Sequence, residues 1–281
     1  MYSYIKRCPF CAGVACAFIL TLCSSLAWAT EGALNGKFTV NEQGKQVQFA
    51  PGNLQYVPSM GVWQFATSQT EVIGKDAAYV TANPGYEGAI DLFVWSEDLL
   101  PVSLAQQGWR MLTSDEWAYL LREDELDPGS GPENAGQAAI VTQHGLMILP
   151  DGWTAFGELT FSPSPNNWTT NSYTTANWEQ LETSGAVFLP CAGDAGTYWS
   201  ATSKDANDAY GIHFYETAIQ AEVLAPRSSS YAVRLVKDVQ KGDPTGVESQ
   251  KTKVESHKIL RDGQIVIVRD GKTYTMIGQE K

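Results

Sequence analysis

Between Leu34 and about Val239 the chain is a succession of short alternating apolar segments, cut every few residues by glycine, proline and asparagine. Only two stretches keep a helical period. This pattern excludes a helical bundle or a repeating α/β sheet and points to short antiparallel strands joined by many loops. Val47 and Phe49 alternate with Gln46 and Gln48, as on a half-buried strand. Pro51-Gly52-Asn53 then turns the chain into Leu54-Gln-Tyr56. Val62-Trp-Gln-Phe65 follows a break at Ser59-Met-Gly61, so an N-terminal antiparallel meander is expected.

The first helix is announced by Leu112-Thr-Ser-Asp-Glu-Trp117. Thr113 and Glu116 have the spacing of a capping box, and Asp115 and Glu116 complement the positive end of a helix dipole. Trp117, Leu120 and Leu121 fall on one face. A second helix is expected from Thr174 or Thr175, burying Trp178 and Leu181 and stopping at Gly185. Leu146-Met-Ile-Leu-Pro and Ala186-Val-Phe-Leu-Pro resemble each other as strands that run into loops. Between them, Ser162-Pro-Ser-Pro-Asn-Asn-Trp168 reads as an irregular surface loop. Late in the chain, Tyr210, Ile212 and Phe214 share one strand face, and Tyr231, Val233 and Leu235 another.

The two ends read differently. Residues 1–29 have the form of a cleaved signal peptide: Lys6 and Arg7, an apolar stretch from Ala12 to Leu22, then Ala27-Trp28-Ala29. Removing 29 of 281 residues leaves 252 and takes two basic side chains with it, so net charge moves from −12 to −14. Four of the five cysteines also leave, so the remaining chain has only Cys191 and no disulfide framework. An exported or surface-displayed chain of this kind must rely on its core, to which eight tryptophans contribute. Its acidity would repel phosphate backbones, so nucleic acid is not expected as a partner. Residues 30–239 read as one domain and 240–256 as a linker. Residues 257–281 read as a β-tail whose Asp262-Gly263 and Asp270-Gly271 pairs suit hairpin turns.

Trp109-Arg-Met-Leu-Thr-Ser-Asp-Glu-Trp-Ala-Tyr119 resembles the helix start of formylglycine-generating-enzyme-like domains. With Ala186-Val-Phe-Leu-Pro, Gly196-Thr-Tyr-Trp-Ser, Ala209-Tyr-Gly-Ile-His-Phe214 and Val233-Arg-Leu-Val236, the chain resembles the major paralogous domain of Fibrobacter and Bacteroidetes secreted proteins. The resemblance covers roughly Leu34 to Asp238. It implies an α+β, C-type-lectin-like fold with short antiparallel strands, two helices and long loops, plus the small C-terminal β-hairpin element. The tail itself resembles sorting tails of exported Bacteroidetes proteins, which implies an outer-membrane secretion machine as a partner.

Activity does not follow from fold. The oxidase chemistry of the formylglycine enzymes needs cysteines near the final strand, where Arg227-Ser-Ser-Ser-Tyr231 has none. No cofactor is called for. His144, His213 and His257 lack partners at ligand spacing, and Asp205-Ala-Asn-Asp208 lacks the distal glutamate of a calcium loop, so it reads as an Asx turn preceding the Tyr210 strand. The expected function is therefore binding of an extracellular protein or glycan. Its candidate residues are Ser203, Lys204, Asp205, Asn207 and Asp208 in the late loop, with His213 and Tyr215 on the strand beyond. The alternative is an enzyme, formylglycine-generating-like or glycan-cleaving. In Gly196-Thr-Tyr-Trp-Ser-Ala-Thr-Ser203, Tyr198 and Trp199 read as core packing.

Overall fold

The computed structural model describes residues 32–121, 134–163 and 167–240, with the backbone of strands at 257–261, 264–269 and 272–274. The chain has a mixed α+β fold in which the sheets are mostly antiparallel. In order, the first half holds β1 (Phe38–Thr39), β2 (Gln46–Phe49), β3 (Leu54–Val57), β4 (Val62–Phe65), α1 (Ala77–Ala82), α2 (Val102–Gln106), β5 (Trp109–Arg110) and α3 (Ser114–Leu121). The second half holds β6 (Ala135–Ile140), β7 (Gln143–Ile148), β8 (Ser172–Tyr173), α4 (Thr175–Thr183), β9 (Val187–Pro190), β10 (Ala195–Ser203), β11 (Asp208–Tyr215), β12 (Ala218–Pro226) and β13 (Val236–Asp238). The tail adds β14 (His257–Arg261), β15 (Gln264–Arg269) and β16 (Lys272–Tyr274).

Both expected helices form as read. Thr113 Oγ1 accepts from the Glu116 amide at 3.1 Å, and Glu116 Oε2 accepts from the Thr113 amide at 3.0 Å. Trp117, Leu120 and Leu121 are buried. At α4, Thr174 caps through the Asn177 amide, and Trp178 and Leu181 are buried. Each such side chain contributes about 1.5–3 kcal/mol by leaving water. Gly185, at φ +97°, ends the helix and lets the backbone pass against Gly36, a contact without room for a side chain.

Two expectations need correction. Among the described residues there are four helices rather than two. α1 buries no residue and α2 only Leu104, so neither carries the apolar period that would reveal it. α1 depends instead on its cap, Asp76 accepting from the Tyr79 amide at 2.9 Å. The N-terminal meander is also divided. β3 and β4 form their own hairpin, while β2 lies between β1 and β13 in a four-stranded sheet ordered β1-β2-β13-β5. Pro51-Gly52-Asn53 turns the chain out of one sheet and into another. β1 pairs with β2 locally, but the neighbour on the other edge of β2 arrives from the far end of the domain, with Val236 opposite Phe49.

The two look-alike segments lie side by side. β7 and β9 are antiparallel neighbours, Leu146 facing Leu189, in a sheet ordered β8-β6-β7-β9. A third sheet, β10-β11-β12, holds the late strands. In it Ile212 and Phe214 join the main buried cluster, whereas Tyr210 is only partly buried. Tyr231, Val233 and Leu235 do pack together, but as an irregular segment with isolated bridges rather than a regular strand. In the tail, β14, β15 and β16 pair antiparallel, with Arg261 opposite Gln264 and Arg269 opposite Lys272. The Asp262-Gly263 and Asp270-Gly271 pairs read as turns lie outside the described residues. Residues 1–29 and nearly all of the linker 240–256 lie outside the described residues.

Candidate functional site

Tyr198 and Trp199 are adjacent on β10, and their side chains leave on opposite faces into different buried clusters. Tyr198 donates to the Pro190 carbonyl at 2.9 Å and accepts from Asn53 Nδ2 at 3.0 Å. Trp199 stacks on Tyr231, with centroids 4.3 Å apart, and donates through Nε1 to the Phe93 carbonyl at 2.7 Å. Both side chains are packed, as expected. The hydroxyl residues that follow serve a bulge in β10 between Trp199 and Ser203. Ser200 Oγ bonds the Tyr210 carbonyl, and Thr202 Oγ1 accepts the Ser114 amide at 3.0 Å, satisfying the start of α3.

The late-loop candidates are placed in two groups. Ser203 ends β10, Lys204, Asp205 and Asn207 are exposed in the turn, and Asp208 opens β11. Asp205 Oδ1 accepts from the amides of Asn207 at 2.8 Å and Asp208 at 3.0 Å, so this carboxylate closes its own Asx turn. Those two amides hold it below the ordinary carboxylate range. His213 and Tyr215 sit toward the other end of β11, five and seven residues on, roughly 16–23 Å away at strand rise. Their rings lie 5.4 Å apart, both half-buried, and burial lowers the His213 pKa. Thr197 and Gln220 flank His213 on the neighbouring strands. The structure thus does not bring the seven residues into one patch.

What sequence reading passed over lies elsewhere. Arg234 is buried, and its guanidinium donates to Gln69 Oε1 at 2.6 Å and to the Phe188 carbonyl at 3.1 Å. Gln69 in turn donates to Glu182 and the Ala186 carbonyl and accepts the Phe188 amide at 3.0 Å, so its amide is fully satisfied. Burial draws the Arg234 pKa down to about 10. Asp91, also buried, accepts from the amides of Ile73, Gly74 and Lys75, and burial raises its pKa despite those bonds. These groups tie loops to the core. Cys191 is buried too, and burial with nearby Asp194 pushes its thiol up to about 12, which keeps it unreactive.

The candidate site is a cleft of about 390 Å³ between β4, the start of α1, the segment Ile90–Leu99 and the turn after β12. Trp63, Phe93, Val94 and Leu99 supply apolar walls. Trp63 packs on Tyr56 and Phe93, with centroids 4.7 and 5.3 Å apart, which stiffens that wall. Asp76 and Asp98 bring two carboxylates, and Ser96, Ser228 and Ser230 bring hydroxyls. The Ile90–Leu99 segment is held from behind. Phe93 bridges Tyr231 in both directions, Trp95 Nε1 donates to the Ser200 carbonyl at 2.8 Å, and Trp199 Nε1 holds the Phe93 carbonyl. Trp199 and the Ser200 carbonyl therefore hold the back of the cleft without lining it. No periodicity marks this cleft, since its walls come from four separate parts of the chain.

Asp76 accepts from the Tyr79 amide and Ser230 Oγ, and those bonds hold it below the ordinary range. Of the paired carboxylates along the chain, Asp115 and Glu116 belong to the start of α3, and Asp124 and Glu125 lie outside the described residues. Among the described residues no group of three or more histidine, cysteine or acidic side chains is placed to hold a metal, and no helix is long and apolar enough to cross a membrane. In comparisons with family models, curated proteins and solved structures, the chain matches none.

Proposed function

We propose that this chain is an exported, non-catalytic binding module of the C-type-lectin-like family, recognising an extracellular protein or glycan. The observation that carries the reading is the cleft: a concave site with aromatic and aliphatic walls, a few convergent polar groups and a rigid back is the usual form of a ligand site. The late loop is less suited, because Lys204, Asp205 and Asn207 stand exposed in a turn. The tail, with three antiparallel strands, is consistent with a separate element offered to a secretion machine.

The test is capture by the chain from Thr30 onward on an array of glycans and surface proteins. Val94 is exposed at the cleft mouth, so Val94→Trp fills it without disturbing the core. Capture that disappears with Val94→Trp, yet survives replacement of Asp205, Asn207, His213 and Tyr215, places binding in the cleft. The reverse pattern returns it to the late loop and strand.

A further inference from the structure

We infer that the cleft takes a basic side chain of an extracellular polypeptide, its ammonium or guanidinium group between Asp76 and Asp98 and its aliphatic stem against the apolar wall. The inference rests on the cleft reading above and adds the chemistry of the ligand.

Three observations carry it. The residues lining the cleft include two carboxylates and no lysine or arginine. The two cations nearest in sequence are turned onto aromatic rings. Lys75, beside Asp76, places Nζ 4.4 Å from the Tyr79 ring centroid and 4.3 Å from that of Tyr86. Arg227, beside Ser228, lies 4.4 Å over Trp95. Among the described residues every ion pair belongs to a separate cluster of Lys45, Arg110, Glu116 and Asp238. Neither cleft carboxylate is therefore ion-paired among the described residues; Asp76 keeps its bonds to the Tyr79 amide and Ser230 Oγ, and apolar walls strengthen the pull of the pair on an incoming cation.

Size and lining select the carrier. A volume of about 390 Å³ lies at the small end of ligand pockets. Ile90, Leu92, Val94 and Leu99 suit a methylene stem better than a hydroxyl-covered ring. Trp63 and Phe93 add ring faces near which a cation is stabilised. Ser96, Ser228 and Ser230 can accept the remaining N–H donors.

The experiment is amide and indole NMR on the isotope-labelled chain, titrated with Nα-acetyl-lysine methylamide, Nα-acetyl-norleucine methylamide and glucosamine. The lysine probe should shift the Trp63 indole and the Val94 and Ser230 amides, and bind about tenfold more tightly than norleucine, which has a similar stem without the ammonium. Asp98→Asn should remove most of that difference while leaving Tm unchanged, and added salt should shrink it. Equal binding of lysine and norleucine probes in the cleft overturns the cation inference but leaves the site standing. Tighter binding of glucosamine overturns the polypeptide source. If no probe shifts the cleft resonances, the inference fails, while the Val94→Trp array result still decides the site independently.

Discussion

Arg110 grips Glu116 through two parallel hydrogen bonds, Nη1 to Oε2 at 2.6 Å and Nη2 to Oε1 at 2.9 Å. Arg110 Nε also bonds Asp238 at 2.8 Å, and Lys45 Nζ reaches Glu116 at 3.0 Å. One charged cluster thus ties the residue before β2 to β5, the start of α3 and the end of β13. Burial alone would raise the Glu116 carboxyl, but Arg110, the Thr113 amide and Lys45 outweigh it and hold it below its ordinary value of 4.5. A carboxyl depressed by folding contributes fully above its unfolded value and loses its contribution as pH falls through the folded one. Stability should therefore drop as pH falls below about 4.5. Glu116→Gln keeps an acceptor for the cap but loses the charge, and should cost about 1–2 kcal/mol at neutral pH, since Arg110 is partly exposed. Thermal unfolding across pH 3–7 checks both, the variant giving the flatter curve.

Trp199 joins core and cleft. Trp199→Ala should cost about 3–5 kcal/mol through the cavity it leaves. Trp199→Phe should cost about 2 kcal/mol and leave the Phe93 carbonyl with one partner fewer. Because that carbonyl belongs to the cleft wall, the Phe variant should also weaken capture at temperatures where it is still folded. Tyr198→Phe, on the opposite face, should lower denaturant stability by about 1–2 kcal/mol without touching capture.

Gly196 has no room for a side chain. A methyl there would run into the ring of Phe214, which is itself buried and cannot yield. Gly196→Ala should lower stability by about 1–3 kcal/mol in urea unfolding. Gly108→Ala meets open space but a φ of +85°, so its smaller loss should come from backbone strain alone.

Cys191 should be silent toward a thiol reagent in the folded protein and react fully once unfolded. Its burial and its raised pKa both keep the thiolate population low. Fast reaction under native conditions would contradict the packing role.

Asp205→Ala tests the late turn. Amide exchange at Asn207 and Asp208 should accelerate, because their acceptor is gone, while array capture stays as in the parent chain. Lost capture would return recognition to the turn.

What was readable along the chain was local. Thr113 and Glu116, or Thr174 and Trp178, sit within a turn or two of each other, so spacing alone determines cap and buried face. The second sheet partner of β2, the buried Arg234–Gln69 contact and the cleft were decided only in three dimensions. Each joins segments far apart in sequence, Gln69 and Arg234 being 165 residues apart. Local residue chemistry carries no record of which distant carbonyl, carboxylate or ring will close such a contact; long-range packing of the tryptophan-rich core selects it.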